Sequence, residues 1–152
     1  MIEIVCHRGA NELAPENTYA SSQICLDWSV HYVEIDVSTS ADGVLYVIHG
    51  PGLERTTNGT GRIGQHTADT IDQLDAGSWF DPKFSDQRIP RVDEFLGWIK
   101  DKSVTPRILK VLDRAKREYK AALCSALGWI GDDAALDTLL EAFDDRDWQV
   151  RV

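Results

Sequence analysis

Two hydrophobic periods share this chain and meet near residue 104. Before that point, short β-rich runs (Ile2 to Cys6, Tyr32 to Val37, Leu45 to His49) alternate with turn chemistry and helical stretches. Beyond it, Ala and Leu gather at helical spacing, as in Ala121-Ala122-Leu123 and Ala126-Leu127. A strand repeats its face every second residue and a helix about every 3.6, so one pattern cannot run on into the other within a single element. The chain therefore reads as an α/β segment over about 1–103 followed by an all-α segment over about 104–152.

In the first segment, the opening run closes at His7-Arg8-Gly9, and a helix is expected from Asn17 or Thr18, after Pro15, to about Trp28. The connector Ser38-Thr39-Ser40-Ala41-Asp42-Gly43 between the next two runs is too short for a crossover helix. Those strands should join by an extended return. Residues 50–90, rich in Gly, Thr and Asp, read as a loop excursion, and Ile89-Pro90 leads into a helix with apolar positions Val92, Phe95, Leu96 and Ile99. In the second segment Ile108 aligns with Leu139, Leu109 with Leu140, Val111 with Ala142, Leu112 with Phe143, Tyr119 with Val150 and Lys120 with Arg151. An offset of about 31 residues marks stacked helical repeats, although a plain two-helix hairpin would show similar core positions.

A formal charge of −9 opposes a broad nucleic-acid or anionic-membrane surface, since both partners are polyanions that recruit clustered Lys and Arg. Cys6, Cys25 and Cys124 form an odd set without metal-site spacing, which suits reduced thiols in the cytoplasm. No basic leader and no long apolar run is present, so secretion and membrane spanning are not expected.

Glu34 and Asp36 stand two apart on a strand and so share a face. Hard carboxylates in that arrangement suit Mg²⁺ or Ca²⁺, though an isolated Glu-x-Asp is also an ordinary solvated strand face. His7 and His49 fall at strand ends, where imidazoles suit proton transfer near neutral pH. Arg8 offers a planar fork matched to phosphate oxygens, with a surface ion pair as the alternative. Asn17 reads either as a helix N-cap or as a ligand contact. His31 and His66 are expected at the surface or in packing, and Trp79 with Phe80 to pack the loop excursion against the strands.

Taken in order, His7-Arg8-Gly9, Pro15-Glu16-Asn17-Thr18, Glu34-Ile35-Asp36, Asp42-Gly43, His49, Arg55-Thr56-Thr57-Asn58-Gly59-Thr60-Gly61 and Leu74-Asp75-Ala76-Gly77-Ser78-Trp79-Phe80 closely resemble the glycerophosphodiester phosphodiesterase family over about residues 1–103. The resemblance implies the first part of a (β/α) TIM-type barrel, a fold that takes about 250 residues when complete. It also implies metal-dependent hydrolysis of a glycerophosphodiester to glycerol 3-phosphate and an alcohol. By the same resemblance His7 and His49 are the acid/base pair, Glu34 and Asp36 the metal ligands, and Arg8 and Asn17 the substrate contacts. The family usually carries Asp directly after the second histidine, where this chain has Gly50. A third metal-binding Glu is usual after the Ile-Pro helix, where Asp101-Lys102-Ser103 passes into Thr105-Pro106.

The segment from 104 is similar to short HEAT-like repeats of the phycobilin lyase type, which implies a surface for a protein partner. The competing readings are a non-enzymatic interaction module and an inactive fragment. Because three strands without the rest of a barrel leave an unpaired edge, homo-oligomerisation is also expected.

Overall fold

The computed structural model describes residues 3–99, 105–112, 120, 123–124, 127–128 and 130–143. It divides into two compact units, 1–91 and 92–152. The first unit opens with β1 (Val5–His7), α1 (Tyr19–Asp27) and β2 (Tyr32–Glu34), and β1 and β2 pair in parallel. The register sets Val5 beside Tyr32, Cys6 beside Val33 and His7 beside Glu34. A parallel pair needs a crossover, and α1 supplies it. Its start is fixed by a capping box in which Thr18 Oγ1 accepts from Ser21 N at 3.4 Å and Ser21 Oγ accepts from Thr18 N at 3.4 Å. Its end is a Schellman turn: Ser29 takes the left-handed conformation at φ 52°, Ser29 N donates to Leu26 O, and Val30 N donates to Cys25 O. The helix buries the small residues Ser21, Ser22 and Cys25. That small face lets the His7-Arg8-Gly9 turn lie against it.

After a break at Ile35-Asp36 come β3 (Val37–Thr39) and β4 (Leu45–Val47), which pair antiparallel with Val37 opposite Val47 and Thr39 opposite Leu45. The extended return read from the short connector is this hairpin. Its turn is closed by Ser40 Oγ, which accepts from Val44 N at 2.8 Å and donates to Asp42 at 2.7 Å. On its other edge β4 meets the chain again where Val47 N donates to Pro90 O at 2.8 Å.

Residues 50–90 form more than an excursion. Leu53, Ile63, Ala68, Ile71, Ala76 and Ile89 are buried with Tyr46 and Ile48 of the β4 strand and its extension, and together they make the core of the unit. A large apolar side chain so buried contributes about 1.5–3 kcal/mol, so this segment holds β4 in place. It contains the short helix α2 (Ala68–Ile71) and 3₁₀ turns at Ile63–Gln65 and Pro82–Phe84. At Gly77 a Cβ would run into the backbone of Phe84, so only glycine allows that closure. Trp79 differs from expectation: it is 42% exposed, its ring stacks edge-on with Phe80, and its indole N–H donates to Ala76 O at 2.9 Å.

The second unit contains α3 (Val92–Ile99), α4 (Thr105–Leu112) and α5 (Leu136–Phe143), with a 3₁₀ turn at Asp133–Ala135 leading into α5. Its core gathers Ile108, Leu112, Cys124, Leu127, Ile130 and Ala135, with Leu96, Leu109, Leu123 and Leu139 packed against them. Of the aligned repeat positions, Leu109 packs on this core whereas its counterpart Leu140 is exposed. The pairs that involve Tyr119, Val150 and Arg151, and the junction Asp101-Lys102-Ser103, lie outside the described residues.

Candidate active site

The parallel register that pairs His7 with Glu34 puts an imidazole and a carboxylate at the same strand ends, His7 Nε2 lying 4.0 Å from Glu34 Oε2. The chain then turns sharply through Arg8 at φ 59° and Gly9 at φ 80°. A Cβ on Gly9 would come within 2.8 Å of Ser21 Cβ, so the turn needs glycine for space as well as for its backbone angle. Arg8 N donates to Glu34 O at 2.9 Å and to Glu34 Oε2 at 3.1 Å, which fixes the carboxylate relative to the turn.

Asn17, a second non-glycine residue in the left-handed region at φ 57°, donates its backbone N–H to Arg8 O at 3.0 Å. The helix cap is Thr18, and the Asn17 amide serves Asp36: Nδ2 donates to Asp36 Oδ2 at 3.1 Å, while Oδ1 accepts from Asp36 N at 3.2 Å. Left-handed non-glycine residues cost free energy and persist where the surroundings over-determine them. Here two of them lock the loops that carry the site.

The guanidinium of Arg8 is turned onto carboxylates. Nη1 donates to Glu16 Oε1 at 3.2 Å, and Nε lies 3.0 Å from Asp36 Oδ2, an ion-pair distance without hydrogen-bond alignment. Glu16 joins this arginine to a second one, because Arg55 donates Nη1 to its Oε2 at 2.8 Å and Nη2 to its Oε1 at 2.6 Å. The Arg55 fork holds the Glu16 carboxyl below its ordinary range, and Glu16 in turn raises Arg55. Arg55 Nη2 is also 3.4 Å from His49 Nδ1. His49 follows β4, and Ile48 N donates to Asp36 O at 2.9 Å, so the hairpin returns the second histidine to the carboxylate strand. Glu16, Asn17, His49, Thr56 and Thr57 all line one small cleft.

Both histidines and both carboxylates thus join one network. Glu16 and Arg55 are the partners that sequence reasoning did not assign, although each stood inside a quoted motif. His31 and His66 take part elsewhere, His31 Nδ1 accepting from Ile4 N and His66 Nε2 meeting Thr60 O. Cys6 is half-buried, while Cys25 is buried and pushed up to about 11 by desolvation and by the neighbouring Cys6.

The donor set bears on the expected cation. Glu34 and Asp36 each have one oxygen engaged by the Arg8 turn or by Asn17, and among the described residues no hydrogen bond or ion pair reaches Glu34 Oε1 or Asp36 Oδ1. Those hard oxygens fit part of a Mg²⁺ or Ca²⁺ shell that water completes. No group of three or more His, Cys, Asp or Glu able to hold an ion occurs among the described residues. Charge points the same way, since the two guanidiniums pair with Glu16 and Asp36 while Glu34, the third carboxylate, is held by the Arg8 backbone N–H. The surplus negative charge would repel a phosphodiester, and a divalent cation would reverse its sign.

Residues 7–136 match the glycerophosphoryl diester phosphodiesterase family model. The glycerophosphodiester phosphodiesterase of Caldanaerobacter subterraneus subsp. tengcongensis is 39% identical over 99 residues, covering 65% of this chain and 41% of that protein. The glycerophosphodiester phosphodiesterase of Bacillus subtilis is 37% identical over 100 residues, covering 60% of this chain and 34% of that protein. The crystal structure of a glycerophosphodiester phosphodiesterase from Agrobacterium tumefaciens superposes with a TM-score of 0.66 at 42% identity, over 86% of this chain and 54% of that one. An Oleispira antarctica phosphodiesterase, solved with the product sn-glycerol-3-phosphate, gives 0.62 at 26% identity, over 87% of this chain and 53% of that one. The chain therefore spans well under two thirds of the length of these relatives, and the likeness supports a partial α/β barrel.

Proposed function

Because the chain belongs to the glycerophosphoryl diester phosphodiesterase family, we propose that it hydrolyses a glycerophosphodiester to glycerol 3-phosphate and an alcohol. One observation carries the reading. The β1–β2 register sets His7 beside Glu34, and the β3–β4 hairpin brings Ile48, the residue before His49, onto Asp36, which supports two proton-transfer groups near two hard carboxylates. Glu34 and Asp36 would hold Mg²⁺ or Ca²⁺, which when bound offsets phosphodiester charge and polarises its P–O bonds.

In this reading His7 and His49 exchange the protons of the attacking and leaving oxygens. His7 Nε2 lies 4.0 Å from Glu34 Oε2, so that carboxylate is placed to orient the imidazole. Arg8 meets the phosphate with what its guanidinium does not give to Glu16 and Asp36. Asn17, whose amide is used at both ends on Asp36, serves the substrate through that carboxylate by holding its orientation. His49→Ala is expected to lower turnover of a glycerophosphodiester by about 100-fold or more while leaving the circular dichroism spectrum in place. Turnover unchanged by that substitution would remove the acid/base role.

The finer organisation is also our proposal: a barrel segment over 1–103 and a short HEAT-like array over 104–152 that offers a protein partner a surface. Its support is that Leu136 and Leu140, one turn apart on α5, are both exposed. A cytoplasmic setting rests on the three free thiols. No helix among the described residues is long and apolar enough to cross a membrane.

A further inference from the structure

Arg55 has no role in the scheme above, yet its placement is not that of a wandering surface arginine. Its side chain is 48% exposed, while the Glu16 carboxylate that holds it is 10% exposed and also takes Arg8. A guanidinium carries five N–H donors. Glu16 takes one from each Nη group and His49 Nδ1 accepts from the second Nη2 N–H, which leaves Nε–H free on the adjoining edge. That edge is the one nearest His49, with Nη2 at 3.4 Å from Nδ1.

An arginine that is fixed at one edge by a buried anion, and that gives the other edge only a long contact to an exposed imidazole, is oriented before any ligand arrives. Little side-chain freedom is then lost when an oxyanion docks. With a divalent cation on Glu34 and Asp36, the two arginines and the three carboxylates would carry a single positive charge together, which matches the single negative charge of a phosphodiester.

We propose that Arg55 is a phosphate-contacting residue: its Nε–H, together with the Nη2 N–H that meets His49 in the free protein, takes a non-bridging oxygen of the substrate, and Glu16 is the anchor that aims it. The identity of the anion rests on the phosphodiesterase reading, whereas the fork and its anchor do not. The alternative is a brace in which Arg55 only ties the loop after β4 to the Pro15-Glu16 turn.

Calorimetric titration of sn-glycerol 3-phosphate and of inorganic phosphate, in the presence of Mg²⁺, separates the two. Arg55→Met should weaken both ligands by at least about tenfold, the loss expected for a charge-assisted hydrogen-bonded contact. Arg55→Lys, which keeps the charge and the fold but loses the fork, should weaken them by a smaller factor. Glu16→Gln should weaken them too, even though it removes a negative charge. In turnover, Arg55→Lys should raise KM by a larger factor than it lowers kcat.

Affinity within twofold of the parent in both Arg55 variants would make Arg55 a brace and overturn the proposal. So would tighter binding in Glu16→Gln, or no phosphate binding by the parent protein. Phosphate binding that depends on Arg55 in a protein without turnover would leave this inference standing and defeat the hydrolase reading.

Discussion

Beneath β4 and at the mouth of the barrel segment, arginine and carboxylate are combined in two different ways. Under β4, Asp72 accepts the Tyr46 hydroxyl at 2.7 Å and Arg91 Nε at 3.2 Å, with Arg91 Nη2 on its other oxygen. One cation meets one anion, and a fully buried tyrosine closes the group from the core side. At the mouth, one carboxylate meets two guanidiniums, and the chain of contacts runs out to the exposed groups Arg55 and His49. A neutral, closed cluster has nothing left to offer a ligand. An open one with surplus charge does, and something other than its ions must keep it in shape. That something is backbone: the left-handed turns at Arg8, Gly9 and Asn17.

If backbone rather than charge holds the mouth, its most damaging substitution is not an ionic one. Gly9→Ala forces a Cβ onto Ser21 as well as a strained φ, and should cost about 3 kcal/mol in denaturant unfolding. A loss below about 1 kcal/mol would mean that the ion pairs set the loop.

Asp72→Ala should come next, at about 2 kcal/mol, because the pair it breaks is only partly screened and leaves the buried Tyr46 hydroxyl with the Ala68 carbonyl alone. A cost no larger than that of an exposed ion pair would erase the distinction between the two clusters.

The smallest effect is the acid limb. Burial by itself would raise the Asp72 carboxyl, but hydrogen bonds from Arg91 and Tyr46 hold it below its ordinary 3.8, and Arg55 holds Glu16 below its ordinary 4.5. Carboxyls depressed in the folded state contribute stability that is complete above those ordinary values and is lost as pH falls through the folded ones. Stability should thus be level from neutral pH down to about 5 and decline below about 4, with a shallower decline in Asp72→Asn. A decline that begins near neutral pH would implicate the histidines instead.

The elements with a clear period were legible in the sequence. Thr18 to Trp28 brackets α1 with its caps, and the short Ser38 to Gly43 connector does force an extended return. Asn17 was open between a helix N-cap and a ligand contact, because Asn is an ordinary cap as well as a polar ligand group. Only the left-handed backbone at Asn17, set by its bond to Arg8 O, frees that amide for Asp36. The core of residues 50–90 was hidden because Leu53, Ile63, Ile71 and Ile89 stand singly among Gly, Thr and Asp, with no period to reveal a shared face. The Glu16–Arg55 clasp joins positions 39 apart in sequence, and local pattern says nothing of such a pairing.

The β3–β4 hairpin also sets an order of assembly. Asp36 and Ile48 meet through a closure of about a dozen residues, whereas His7 reaches Glu34 only after α1 has formed and β1 has paired across it. Local contacts form ahead of distant ones because less chain entropy is lost before they are rewarded. During refolding, a pulse of hydrogen exchange should find the Ile48 amide protected on Asp36 O before the Arg8 amide is protected on Glu34 O. Simultaneous protection would make the two halves of the mouth a single cooperative step. In the staged case, the half bearing His49 exists first as a free-standing hairpin, and the strand bearing His7 arrives on a surface already shaped to receive it.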